Sequence, residues 1–151
     1  MPNLDCVKEN VARERFAAAR VATLGTVTAD GLPHLVPVVF AVSGDLIVSA
    51  VDDKPKSTRR LRRLDNVRAH GRASILVDEY AEDWTRLWWV RVDGPAEVVD
   101  ATSAVGAAAV RALTRKYSQY RAVPPGGPVI VVHPEKWVTW VARTHDPRRA
   151  G

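Results

Sequence analysis

Apolar positions along this chain change period several times, and each change marks an element. Between Leu4 and Ala19 they fall at Leu4, Val7, Val11, Phe16 and Ala19, close to helical spacing, with Asn3 or Asp5 placed to cap the start. The runs "RVATLGTVT", "HLVPVVFAV" and "DLIVSAV" are instead rich in Val, Thr and Ile, and "ADGLP" and "SGD" separate them. Asp30-Gly31 signals a hairpin, because a tight turn of that kind needs positive φ. Residues 20–51 therefore read as a three-stranded antiparallel meander. Pro37 deletes a ladder donor inside the second run, which marks an edge strand or a bulge that exposes the backbone of Val38 and Val39.

Beyond Val51 the pattern continues. Leu61 and Leu64 give the basic stretch "DDKPKSTRRLRRLDNVR" a narrow apolar side as a short helix. "ASILVDEY" and "RLWWVRVDGPAEVVD" read as strands, the second bent or broken near Gly94-Pro95. Val105, Ala109, Ala112, Leu113 and Tyr117 make one helical face, capped by Asp100 or Thr102. "VPPGGP" is a loop, "VIVVHPEKWVTWVAR" supplies one or two closing strands, and "THDPRRAG" is a loose tail. This is an α+β pattern, mostly antiparallel, of six or seven strands and three helices. Short hairpin-linked strands are handled better by a closed or split barrel than by an open sheet with exposed edges. One domain over residues 1–144 and a tail over 145–151 complete the organisation.

Composition narrows the chemistry. The chain of 151 residues is 46% hydrophobic and 26% charged with a formal charge of +5, so it folds and favours anionic partners. Cys6 is the only cysteine, which excludes an intrachain disulfide and fits a reducing cytosol; in the first helix it reads as a small buried hydrophobe. No apolar run reaches the roughly 20 residues that span a bilayer, so the expectation is a cytoplasmic protein without a membrane partner. His34, His70, His133 and His145 are scattered without ligand spacing, so no metal site is expected. Glu79, Glu82 and Asp83 read as a solvated acidic loop, with a place at a pocket mouth as the alternative. Arginines and aromatics are not interleaved, which argues against nucleic-acid binding. With no nucleophile motif and no acid/base constellation, enzymatic chemistry would have to come from a cofactor.

The basic stretch supports two readings, a solvated helix face or an anion grip. Pro55 suits a first helical turn, and Lys54 and Lys56 stand where the helix dipole opposes positive charge, with the hydroxyls of Ser57 and Thr58 beside them. A bound anion at the helix start would offset that opposition.

In order, "VATLGTVTADGLPHLVPVVFAV", "LIVSAVDDKPKSTRRLRRLDNVRAHGRASILVD" and "WWVRVDGPAEVV" resemble the split β-barrel flavin/deazaflavin oxidoreductases, the superfamily of pyridoxamine 5'-phosphate oxidases. The likeness runs from Ala12 to Arg143 and rests on "GLPHLVP" and "KSTRRLRRLDNV" together. Within that group the chain is most similar to the actinobacterial branch that uses the deazaflavin coenzyme F420. The resemblance implies a homodimer with two cofactor sites at the subunit interface, acting on a small-molecule substrate. It implies that Lys54, Lys56, Ser57 and Thr58, with Arg60, hold the phosphate-bearing tail. The ring would lie against the backbone of Pro37, Val38 and Val39 and of Ser49, Ala50 and Val51, with Trp88, or its neighbour Trp89, as a wall. Arg59, Arg62 and Arg63 offer a surface for an acidic polyglutamate tail, which favours F420 over FMN. FMN, and a carrier that binds cofactor without turnover, are the alternatives; haem-degrading relatives are more distant.

Overall fold

The computed structural model describes residues 4–51 and 61–143. Helix α1 (Leu4–Ala18) leads into strands β1 (Ala22–Val27), β2 (Pro33–Val38), β3 (Ala41–Ser43) and β4 (Leu46–Ala50). Helix α2 (Arg62–His70), strand β5 (Arg72–Glu79), a 3-10 turn (Trp84–Arg86) and strand β6 (Trp88–Val99) follow. Helices α3 (Ala104–Lys116) and α4 (Ser118–Ala122) and strands β7 (Val129–Val132) and β8 (Lys136–Val141) complete the described chain. The strands form an eight-stranded antiparallel sheet in the order β2-β1-β5-β6-β7-β4-β3, with β8 added on β6. This is the α+β split-barrel arrangement.

Three expectations of the architecture change here, the first being the strand number, which is eight among the described residues rather than six or seven. The meander over residues 20–51 is two hairpins: among the described strands β2 pairs only with β1 and β3 only with β4, so consecutive strands end at opposite ends of the strand path. The break falls at Val39-Phe40, because the fully buried Phe40 ring turns into the core between the hairpins. The described residues also hold four α-helices rather than three, since a short α4 follows α3.

The Asp30-Gly31 turn is as read: Gly31 has φ 89° and the Thr28 N–H donates to Leu32 O at 2.8 Å. Pro37 lies on an edge strand, and the register from Ala22↔Val38 to Val27↔Pro33 runs without a bulge. Carrying the alternation on from the Thr28–Leu32 bond assigns the N–H groups of His34, Val36 and Val38 to β1. The open edge then falls to Pro33, Leu35, Pro37 and Val39. Two of those four positions have no N–H, which blunts the edge against further pairing.

β6 stays continuous through Gly94-Pro95 but changes partners there. Trp88 to Asp93 lie between β5 and β8, while Ala96 to Val99 pair with β7. A Cβ on Gly94 would collide with the carbonyl of His133, so only glycine lets the β7–β8 connection pass this close. This change of partner divides the barrel into its two sheets.

One core cluster fills the barrel with Phe16, Leu24, Phe40, Val67, Ile75, Val90 and Val92, each at most 1% exposed. Phe16 anchors α1 to it through ring contacts with Phe40 and Trp137. Helix α2 closes one barrel mouth, where the buried Asn66 amide donates to the Thr26 hydroxyl at 3.0 Å. Gly71 ends α2 at φ 65°, its N–H returning to Val67 O. A second cluster joins Ala109, Ala112 and Leu113 of α3 to β3, β4 and β7. Ser103, not Asp100 or Thr102, caps α3 by accepting from the Gly106 N–H; Asp100 accepts from the Thr102 N–H just before the helix. Cys6 is exposed, contrary to the buried reading, because Ala12 and Phe16 form the core-facing side of α1. Among the described residues no helix is long and apolar enough to cross a membrane.

Candidate functional site

Side chains alternate across the sheet β2-β1-β5-β6-β8, and the two faces differ in what covers them. Leu24, Ile75, Val90 and Val92 point into the barrel. The paired registers then set Pro37, Thr23, Leu76, Arg91 and Val138 in one outward row, and Leu35, Gly25, Ser74, Asp93 and Lys136 in the next. Trp89 shares this outward face, opposite Asp78 on β5 and Trp140 on β8. Leu35 is 73% exposed and Trp140 46%, so large apolar side chains on this mixed face are open to solvent in the single chain.

Asp93 sits in the middle of it. Burial pushes its carboxyl up, but the Ser74 hydroxyl at 2.6 Å and the Arg91 guanidinium at 2.9 Å outweigh burial and hold it below the usual carboxylate value. The face therefore carries a fixed ion pair beside its apolar part.

The ends of β2 and β4 meet at the rim. The buried Ser49 hydroxyl donates to Val39 O at 2.8 Å, joining two segments named from the sequence, Pro37 to Val39 and Ser49 to Val51. Within them Pro37 and Val39 are exposed, Val38, Ser49 and Ala50 are buried, and Val51 is half-buried. Val39 supplies the open-edge N–H, whereas that of Val38 belongs to the β1 ladder. From the other side the Tyr117 hydroxyl fixes Phe40. It accepts the Phe40 N–H at 3.2 Å and shares its proton between Phe40 O at 2.8 Å and Arg20 O at 3.0 Å. Burial pushes the Tyr117 phenol up. Lys116 places its Nζ 3.9 Å from the Phe40 ring centre, without a hydrogen-bond partner, and burial lowers its pKa to about 8.

Trp88, named as the wall, lies on the other face from Pro37. Its indole N–H donates to Glu79, Arg15 stacks over its ring at 5.3 Å, and both line a cleft of about 610 Å³ with Arg20 and Arg86. The tryptophan that shares the face of Pro37 is Trp89. Period-two alternation from the buried Val90 was the signal that separates the two. Glu79 lines that cleft, which is the pocket-mouth alternative read from the sequence, while Asp83 caps the 3-10 turn through the Thr85 N–H.

Lys54, Lys56, Ser57, Thr58 and Arg60, and Arg59 with them, lie outside the described residues. Helix α2 begins at Arg62 after an extended Leu61, and Pro55 with the turn read for it lies outside the described residues. Arg62 is exposed there and Arg63 is half-buried. His70 contacts Thr28 O at 2.7 Å and His133 contacts Glu97 at 3.0 Å; His34 faces inward with Nδ1 buried and without a partner. Among the described residues no group of three or more His, Cys, Asp or Glu is placed to hold a metal.

Comparison with known proteins agrees with this architecture. Many solved structures share the fold, among them the following three. A heme-binding protein from Mycobacterium smegmatis is 22% identical with a TM-score of 0.71; the match covers 89% of this chain and 54% of that one, so this chain spans about half its length. HutZ, the heme storage protein from Vibrio cholerae, is 16% identical with a TM-score of 0.67, over 93% of this chain and 95% of that one. An FAD-binding protein from Mesorhizobium loti is 21% identical with a TM-score of 0.63, over 92% and 94%. No curated protein matches in sequence. The family model described as pyridoxamine 5'-phosphate oxidase matches residues 9–141, nearly the whole described chain, and the protein belongs to that family.

Proposed function

We propose that this protein is a cytoplasmic, homodimeric oxidoreductase that binds F420 against the outward sheet face and exchanges a hydride with a small organic substrate. The carrying observation is the Ser49–Val39 hydrogen bond, which joins the ends of β2 and β4 at the rim of that open face in a chain of this family.

The residues present fit a flat ring. Thr23, Gly25 and Pro37 give a low, largely apolar floor, Trp89 a side wall, and Val39 a backbone N–H on the open edge. An apolar floor with a few placed polar groups is the usual make-up of a cofactor pocket. The exposed Arg62 and the lysines before it supply positive charge for a phosphate and an acidic tail. A second copy packed on Leu35 would cover apolar surface and exclude water from the ring. The deazaflavin supplies the hydride when bound; the chain binds it, orients it and keeps solvent out.

Fluorescence titration of the purified protein with F420 and with FMN tests this, read beside sedimentation of the dimer. F420 is expected to bind more tightly, and Lys54→Ala with Lys56→Ala to weaken it about tenfold or more, roughly 1.4 kcal/mol. Tighter FMN binding would transfer the site to FMN, and unchanged affinity in the double variant would remove the lysines from it. A cofactor carrier is the second reading. It is favoured by Asp93, the carboxylate central to the face, being held ionised and so unsuited to donate a proton. Oxidation of reduced F420 by a panel of enones and quinones separates the two, since a carrier leaves the reduced cofactor unchanged.

A further inference from the structure

Between α1 and the edge strand β8 lies a groove of about 630 Å³, on the barrel rim away from the Ser49–Val39 junction. Its floor is apolar: Val11, Trp140 and Val141 line it and are 40%, 46% and 50% exposed. Lys8, Arg15 and Arg143 stand around that floor, and among the described residues no carboxylate lines it. Lys8, Val11 and Arg15 recur at helical spacing, so one stripe of α1 faces the groove.

The neighbouring stripe behaves differently. Glu9 and Arg13 satisfy each other at 2.8 Å, the ordinary arrangement of a solvated helix surface. None of the three groove cations has a carboxylate partner or a hydrogen bond among the described residues. Arg15 reaches over the Trp88 ring at 5.3 Å and also lines the cleft that Asp78 and Glu79 border. Like charges gathered over a concave apolar surface repel one another and focus a positive potential into it. A volume in the range of small-molecule pockets, roughly 300–1,000 Å³, leaves room for a ligand with an apolar body.

We infer that this groove binds a small amphipathic organic anion, with a flat apolar body on Val11, Trp140 and Val141 and a carboxylate facing Lys8, Arg15 and Arg143. A neutral molecule would gain only the apolar contact, and a cation would be repelled. This inference does not depend on the cofactor assigned to the outward face.

The test uses 1-naphthoate as the probe and the neutral 1-naphthalenemethanol as its comparison, titrated into labelled full-length protein and followed by amide chemical shifts. Saturable shifts are expected at Val11 and over residues 139–142, with the neutral compound about tenfold weaker or more. Lys8→Glu and Arg143→Glu should each weaken naphthoate severalfold, and together abolish saturation. Both residues are exposed, so an unchanged amide spectrum elsewhere verifies that the variant keeps its fold. Equal affinity for the two compounds, shifts that map off the groove, or unaltered naphthoate binding in the double variant would overturn the inference.

Discussion

Gly94→Ala is the sharpest perturbation of the split in the barrel. The new Cβ would lie 3.0 Å from the carbonyl carbon and 3.1 Å from the Glu135 nitrogen, and nearer still to His133 O, with that carbonyl carbon belonging to His133. All three atoms are backbone and cannot swing aside as a side chain can. The β7–β8 connection must retreat by about 1 Å or more to reach van der Waals separation. Two hydrogen bonds flank the contact, His133 N–H to Pro95 O at 2.8 Å and Glu135 N–H to Asp93 O at 3.0 Å. Losing both costs about 2 kcal/mol at roughly 1 kcal/mol each, and overpacking adds about 1–3 kcal/mol. The total of about 3–5 kcal/mol corresponds to a fall in Tm of about 10 °C or more for a chain of this size. Urea unfolding followed by tryptophan fluorescence measures it. Gly31→Ala is the control: φ is 89° but nothing lies within 4 Å of the added Cβ, so it carries only the left-handed backbone cost of about 1–2 kcal/mol. If Gly94→Ala costs no more than Gly31→Ala, the steric account of the β6 crossing is wrong.

Asn66→Ala should cost about 1–3 kcal/mol, because the Thr26 hydroxyl loses its partner in a buried site; joint Asn66→Leu and Thr26→Val should recover much of that, and a single-variant loss under about 0.5 kcal/mol in urea would contradict the bond's role. Lys116 has a folded pKa lowered from 10.5 to about 8, so folding penalises its charged form fully below pH 8 and stability rises as pH increases from there toward 10.5. Partial exposure and the Phe40 ring face reduce this to about 1 kcal/mol. Unfolding measured from pH 7 to 9.5 should show the rise in the parent and not in Lys116→Met; a common slope would refute it. Above that window Tyr117, whose pKa is raised, acts with the opposite sign. Trp89→Ala should weaken F420 binding about tenfold, whereas Trp88→Ala should leave affinity unchanged and lower Tm, because Trp88 packs against the core; the reverse ranking in a fluorescence titration would return the wall to Trp88.

Much of the fold was legible in the chain because its signals are local. Asp30-Gly31, the alternation in β1 and β5 and the helical face of α3 each depend on neighbours within a few residues. The family resemblance likewise rests on short motifs, and a match over residues 9–141 supports it. Of the candidate site, the two strand ends at Pro37–Val39 and Ser49–Val51 could be named from sequence, but not the Ser49–Val39 bond that joins them.

Other features depend on contacts between distant parts of the chain. Val, Thr and Ile mark a strand without choosing its partner, so periodicity alone could not send β2 and β3 to opposite ends of the strand path; burial of Phe40 between them does that. Nor could it choose between adjacent tryptophans, since a one-residue change of register exchanges the faces. Packing of Val90 and Val92 into the barrel turns Trp88 toward Arg15 and Trp89 toward the open face. The groove between α1 and β8 is tertiary in the same sense. Lys8 and Arg143 lie near opposite ends of the described chain, and only the docking of Phe16 against Phe40 and Trp137 brings them to one surface. Sequence determined which segments would be helix, strand and turn, because those preferences are set within a turn or a few residues. Tertiary structure decided which faces meet, because burial is a property of the whole barrel.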